Sequence, residues 1–338
     1  MPTNLIKGLR MKRLRFPLGY TVALILSLFF SNLVYAQEKH WTPSRPVHLI
    51  APGAPGAILD IVARQLADKI AGPLGQPVIV ENKPSAGGIL AMQALARSPA
   101  DGHTIAIASF AELAVNRSLY KDPGYDSLRD FAPVTLLFEG TQLLIADPAL
   151  GVESLAALVH LAKEQPGSVF YGSPGVARPP HLYMERFKAE AGIDLKHAPY
   201  KGTPPLLQAL LSGEIQLALE GVPPLLPQVR AGKLTPLAVT GDKRLAVLPG
   251  VPTFAELGVS GMTAAWVGIV APAGTPIEAV QRLNREFAKA LDSPELNAAY
   301  EAGGRQIVTG TAQAMADMLR KSIPEWERVV REAGMKPD

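Results

Sequence analysis

Short β-rich runs alternate with amphipathic helical patterns along most of this chain, and that alternation limits the fold to parallel sheets flanked by helices. The strand candidates are 47–51, 77–81, 104–109, 169–173, 195–200, 215–220 and 234–240. Between them lie helical patterns at 61–70, 154–164, 204–211 and 276–291, the second stopped by Pro166 and Gly167 and the third by Gly213. Two of these helices open alike, with Gly202, Thr203 and Pro204 and with Gly274, Thr275 and Pro276. Each Thr is expected to cap a first turn and each Pro to take the first helical position. There is no internal repeat.

Two apolar segments, 132–146 and 264–272, break the alternation and are too extended for ordinary connections. They are expected to cross between two α/β domains. The chain would leave its first domain near Thr141 and return near Ala265, so that 37–141 and 265–338 form a discontinuous domain around a continuous one, 142–264. A ligand cleft is then expected at the crossings, where α/β sheets present the carboxyl ends of their strands.

The stretch from Ala51 to Arg64 turns the first strand into a helix through Gly, Pro and Ala. Such a turn aims backbone N–H groups and the positive end of a helix at whatever lies above it, a site for a carboxylate built from backbone. That chemistry points to a binding protein before an enzyme.

The first 36 residues carry Lys7, Arg10, Lys12, Arg13 and Arg15, then an apolar run from Tyr20 to Phe30, then Val34, Tyr35 and Ala36. This is read as a secretory signal peptide cleaved after Ala36, with Met1 or Met11 as the start. The uninterrupted apolar run is shorter than the ~20 residues a membrane span needs. Cleavage lowers the 33 basic residues to 28 against 30 acidic ones, so a net charge of +3 becomes −2. No basic stripe remains to meet nucleic acid. With no cysteine, the chain has no disulfide framework, thiol nucleophile, thiolate metal site or lipid-modified Cys. A soluble periplasmic protein without a lipid anchor is expected.

Hydrolase signatures are absent. No Ser has Gly two residues before and two after, no His-Glu-x-x-His occurs, and no glycine-rich run ends in Gly-Lys-Ser/Thr. The six histidines show no helical metal spacing. No metal, cofactor or catalytic residue is expected, although a triad assembled from distant residues stays open.

The ordered blocks resemble those of the extracytoplasmic solute receptors of the tripartite tricarboxylate transporter family, the Bug or TctC-like proteins. They include Ala54, Pro55 and Gly56 followed by Asp60 to Arg64; Val80 to Pro84 with Ala86, Gly87 and Gly88; and Asp130 to Val134. Further on come Tyr171, Gly172 and Ser173 with His181 and Leu182, Pro199 to Gly202, Leu248 to Thr253 and Ala271 to Pro276. The resemblance spans nearly all of the chain after residue 36. It implies a type II periplasmic binding fold, two α/β domains closing over a small organic acid held between one loop from each domain. By position the loops are 52–60 and 173–181. The implied partners are a carboxylate ligand, aromatic or dicarboxylic in one reading, and a two-component integral membrane permease. Delivery to a membrane sensor kinase is an alternative, as is an exported hydrolase. A monomer suits a shuttle that must diffuse and dock.

Two departures from the family pattern bear on the ligand. Leu59 stands where the family commonly has Thr, and Pro174, Val176, Ala177, Arg178, Pro179 and Pro180 replace small or hydroxylated residues before His181. Arg178, facing the cleft, would pair a carboxylate bidentately. The first loop contributes Gly53, Pro55, Gly56, Ala57, Ile58, Leu59 and Asp60 as candidates. Asp60 either contacts a ligand amine or water or favours the first helical turn. The second contributes Ser173, Gly175, Val176, Arg178 and His181, the last read either as a ligand contact or as a buried structural histidine. Ser85, Gly87, Ser109 and Phe110 follow predicted strands on the cleft side, as do Lys201, Gly202 and Glu220. Trp266, at the second crossing, packs on the ligand or walls the hinge.

Overall fold

Residues 41–176 and 178–335 are described by a computed structural model. The expected signal segment, its cleavage after Ala36, the alternative start at Met11, and Ala177 lie outside them. In chain order the strands are Val47–Ala51 (β1), Val78–Asn82 (β2), Thr104–Ser109 (β3), Phe131–Gly140 (β4), Gln142–Ala146 (β5), Phe170–Ser173 (β6), Lys196–Pro199 (β7), Leu217–Gly221 (β8), Thr235–Val239 (β9), Ala265–Pro272 (β10) and Arg305–Ile307 (β11). The helices are Ile58–Leu74 (α1), Ile89–Ala96 (α2), Asn116–Leu119 (α3), Leu155–Glu164 (α4), Pro179–Ala191 (α5), Thr203–Leu211 (α6), Val222–Arg230 (α7), Ile277–Leu291 (α8), Pro294–Ala302 (α9) and Ala312–Glu332 (α10).

β1 is apolar at Val47, Leu49, Ile50 and Ala51 and is shielded on both faces, as a strand covered by helices on either side must be. It lies in a six-stranded sheet of order β11-β4-β10-β3-β1-β2; a second sheet has the order β7-β6-β8-β5-β9. Both are mixed, which corrects the expectation of parallel sheets. β1, β2 and β3 run parallel, but β10 is antiparallel to β3 and β4, and β5 is antiparallel to β8 and β9. The antiparallel pairings involve the two apolar segments that break the alternation, with β11 also antiparallel to β4 at the sheet edge. β4 and β5 are separated by Thr141 alone, so the chain runs from one sheet into the other with no room for a helical crossover.

Three apolar clusters hold the layers. On one face of the first sheet, Val62, Leu66 and Ile70 of α1 pack with Leu283 and Phe287 of α8. The largest cluster spans both sheets: the Trp326 ring of α10 lies 4.9 Å from that of Phe110, tilted by 31°, and meets Tyr183 of α5 edge-on at 5.2 Å. A third lies between the second sheet and α6 and α7.

The expected Thr caps are not made. Gly202 is the N-cap of α6 and Pro276 that of α8, neither with a side-chain cap bond. Thr203 Oγ1 instead donates to Glu220 Oε2 at 2.9 Å, and Thr275 Oγ1 to the Pro272 carbonyl at 2.7 Å. Tertiary and turn acceptors outcompete the local cap. Ser154, Ser293 and Thr311 do cap α4, α9 and α10. Among the described residues no helix is long and apolar enough to cross a membrane.

Candidate functional site

α1 begins at Ile58, three residues before its periodic pattern, so its first turn reaches back into the Gly-Pro loop. Asp60 braces that loop. Buried at 2 % exposure, it accepts the Gly56 N–H at 2.8 Å through Oδ2, and Asn82 Nδ2 and Arg64 Nη2 at 2.9 Å through Oδ1. The Gly56 amide, then Arg64, hold its carboxyl below the usual carboxylate range against the opposing effect of burial. Asp60 therefore turns away from the cavity and fixes the shape of the turn, while the first-turn amides of Ile58, Leu59 and Asp60 have no intrahelical acceptor. Gly53, Ala57, Ile58 and Leu59 line the cavity; Pro55 and Gly56 lie on the loop's exposed outer side.

The second loop leads into α5, whose first two residues are Pro179 and Pro180. Neither has an N–H, so half of the four donors at this helix end are deleted. The N-cap, Arg178, is exposed, lines the cavity and makes no ion pair within the described residues. A guanidinium thus stands where two backbone donors are missing. Val176 also lines the cavity, at 65 % exposure.

Ser173 and His181 lie beneath this loop and do not line the cavity. Ser173 Oγ contacts His197 Nε2 at 2.7 Å and donates to the Gly175 carbonyl at 3.0 Å, pinning the turn. The His181 and His197 rings stack 3.9 Å apart and within 10° of parallel, with Tyr171 4.9 Å beyond His197. Tyr171 donates to Glu185, which also pairs with Lys188 at 2.9 Å. Burial, with His197 and Lys188 adding to it, pushes the His181 imidazolium down to about 3, and burial lowers His197 as well. His181 is therefore neutral, and its 4.0 Å approach to Glu185 is no ion pair. The bland alternative, a structural histidine, fits this geometry.

Of the other candidates, Ser85, Gly87, Ser109 and Phe110 line the cavity, although the Phe110 ring itself sits in the core. Lys201 is exposed away from it, and Gly202 donates to the Pro174 carbonyl at 3.1 Å. Glu220 is folded back on Thr203 and the Gly221 amide, with burial raising its carboxyl. Trp266, 4 % exposed, donates Nε1 to Ser322 Oγ at 3.1 Å and so faces α10 instead of the cavity.

Sequence reasoning missed two charged residues on the wall. Glu112 belongs to a π-helical turn, Ala111–Val115, directly after β3. It accepts the Ser109 N–H at 2.8 Å and the Ser109 hydroxyl, while Ser109 Oγ accepts the Ala111 N–H at 3.2 Å. These bonds tie Ser109 to the first turn after β3 without forming a full capping box, and Ser109 with Glu112 three residues on was the legible signal. Burial raises the Glu112 carboxyl; the two Ser109 bonds and Arg178 oppose this less strongly. Gly88, at φ +66°, lets three loops converge there, since a Cβ would sit 2.7 Å from Pro52 and 2.9 Å from Glu112. The second missed residue is Arg305, at the first position of β11 beside the crossing. No local motif marks it.

The cavity enclosed by these groups has a volume of about 550 Å³ and runs between the two sheets at Gly140, Thr141 and Gln142. Its size suits a small organic molecule. Among the described residues no group of three His, Cys, Asp or Glu side chains could hold a metal ion.

Comparison with known proteins places this geometry in context. A family model described as "Tripartite tricarboxylate transporter family receptor" matches residues 62–335. The chain is 36 % identical over 296 residues to Protein BugT of Bordetella pertussis, covering 87 % of this chain and 91 % of that one. Among solved structures it is similar to Rhodopseudomonas palustris Rpa4515 with adipate, at 35 % identity and TM-score 0.74, over 88 % of this chain and 99 % of that one. MatC from R. palustris with bound malate is similar at 29 % identity and TM-score 0.70, over 85 % of this chain and 99 % of that one.

Proposed function

The chain belongs to the tripartite tricarboxylate transporter receptor family, and on that premise we propose that it captures a small organic carboxylate in its cavity and delivers it to a two-component membrane permease. The family consists of periplasmic solute receptors, not enzymes, with the two-domain α/β fold of periplasmic binding proteins. One observation supports the ligand class: a cavity of about 550 Å³ lined on one side by the first turn of α1 and on the other by the Arg178 guanidinium, which makes no ion pair among the described residues. Both are anion-binding groups. We place the domain boundaries at Thr141 and Ala265, supported by the change of sheet between β4 and β5 and by the return of β10 to the first sheet. The periplasmic form begins at Gln37 in this reading, and the protein acts as a monomer. The bound receptors similar to this chain carry adipate and malate, which favours the carboxylate class for it too.

A thermal-shift screen of the protein from Gln37 onward, against mono-, di- and tricarboxylates and aromatic acids, tests the reading. A ligand at about 100 times its dissociation constant adds roughly 2.7 kcal/mol to the folded state, about 4 °C for a chain of this size. No shift with any acid would overturn it. Arg178→Ala should weaken the best ligand about tenfold or more, and unchanged affinity would remove Arg178 from the site. Solute uptake by cells carrying the two permease components, with and without the receptor, tests delivery.

A further inference from the structure

Three helices that begin at the second sheet, α5, α6 and α7, share a feature the receptor reading does not need, and α4, capped by Ser154, lacks it. α5 opens on Pro179 and Pro180, α6 carries Pro204 and Pro205, and α7 carries Pro223 and Pro224, all within their first turns. Each pair removes two N–H donors from a helix end. Pro179 and Pro223 line the cavity, so its second-sheet side offers little backbone to an anion. The first sheet presents the full donor set of α1, where the first turn holds no Pro. Backbone recognition is therefore one-sided, and a second acidic group on a solute must be met by a side chain.

Arg305 has the attributes of that side chain. It is half-buried on the cavity wall and, among the described residues, pairs with no Asp or Glu. Its guanidinium lies 5.7 Å from the centre of the Phe138 ring and 5.4 Å from that of Tyr300, aromatic faces that hold it in place without neutralising it. The preceding Gly304 fixes its position at the crossing. The Thr141 N–H donates to the Gly304 carbonyl at 3.0 Å, and a Cβ on Gly304 would sit 2.8 Å from Val222. A half-desolvated guanidinium without a carboxylate keeps its demand for an anion, and burial lowers its basicity for the same reason.

We propose that Arg305 is the residue that selects for a second acidic group on the solute, holding it at the β11 side of the cavity while the α1 amides and Arg178, one from each loop, hold the first. This rests on the receptor reading above. The pocket then prefers a dianion to a monoanion of equal length and bulk, and the preference comes from β11 instead of from either family loop.

The test is isothermal titration of adipate and hexanoate, acids of equal chain length, with the wild type, Arg305→Gln and Arg305→Lys. The wild type should bind adipate about ten- to a hundredfold tighter. Arg305→Gln should bring the two affinities within about threefold by weakening adipate alone, and Arg305→Lys should restore part of the difference. Equal wild-type affinities, tighter hexanoate binding, or a difference that survives Arg305→Gln would overturn the role of Arg305 while leaving the receptor reading intact. Parallel loss of both ligands in Arg305→Gln, with Arg305→Lys behaving alike, would reduce Arg305 to a packing residue and also overturn it. Binding of neither acid, nor of any other carboxylate, by the wild type would overturn the receptor reading and this inference with it.

Discussion

Acidification should destabilise this receptor through the histidine stack under its second loop, and His181→Gln should remove that share of the sensitivity. His181 is 6 % exposed, at the third position of α5, and its imidazolium is pushed down from 6.5 to about 3. Burial is the main cause. The facing groups are His197, stacked at 3.9 Å, Glu185 at 4.0 Å, Tyr171 beyond His197, and Lys188 paired with Glu185. Because the folded value is depressed, the unfolded chain binds the proton first, and stability falls as pH drops below 6.5. Each unit in that window costs up to about 1.4 kcal/mol, so about pH 4.5 should cost roughly 2.7 kcal/mol relative to neutrality. For a domain pair of this size that is roughly 4 °C in melting temperature. His197, also lowered, adds to the loss in the same direction. Urea denaturation at a series of pH values, wild type against His181→Gln, isolates the effect: the variant starts less stable, having lost the stack, but should fall less steeply between about pH 6.5 and 4.5. Parallel slopes, or an NMR titration in which His181 protonates near its ordinary value, would refute the reasoning.

Glu112 predicts a pH dependence of binding with its own sign. Its carboxyl is raised, so it turns anionic only above the ordinary carboxylate range, and over that rise in pH it costs folded-state stability and repels an anionic ligand. Affinity for a fully ionised acid should fall about tenfold as pH rises above the ordinary carboxylate range and Glu112 ionises, and Glu112→Gln should flatten the profile; a wild-type affinity independent of pH would contradict this. Asp60→Asn sets the amide of Asn82 against a second amide and removes the charge that holds Gly56 and Arg64. It should cost about 1.5–3 kcal/mol in urea denaturation and weaken ligand binding by loosening the turn. Since the Asp60 carboxyl is depressed, the wild type holds this stability above 3.8 and loses it as pH falls through the folded value. A variant with wild-type stability and affinity would show that the loop keeps its shape unaided.

Much of the fold was legible before any coordinate. Runs such as Val47–Ala51 and Thr104–Ser109 are short, apolar and bounded by turn residues, and they form strands at those positions because pattern and turn chemistry agree locally. The Gly-Pro loop before α1 was readable for the same reason. Strand direction was not: whether β10 runs with or against β3 depends on where the chain re-enters a sheet it left over a hundred residues earlier, which no local pattern encodes. The expected caps at Thr203 and Thr275 failed through partners the local motif does not contain.

The candidate site divides along the same line. Sequence alone determined the family, the first loop, the proline pairs that strip donors from the second side and the presence of Arg178, because each is a property of adjacent residues. Only the tertiary structure decided which of those residues meet the cavity. His181 belongs to a stack because His197, sixteen positions away, is brought against it by β7. Asp60 braces a turn because β2 delivers Asn82. Arg305 reaches the wall because β11 pairs with β4 beside the crossing, and no shorter stretch of chain carries that information. Contacts between distant segments are set by the packing of whole layers, so the residues that depend on them can be identified only once the layers are assembled.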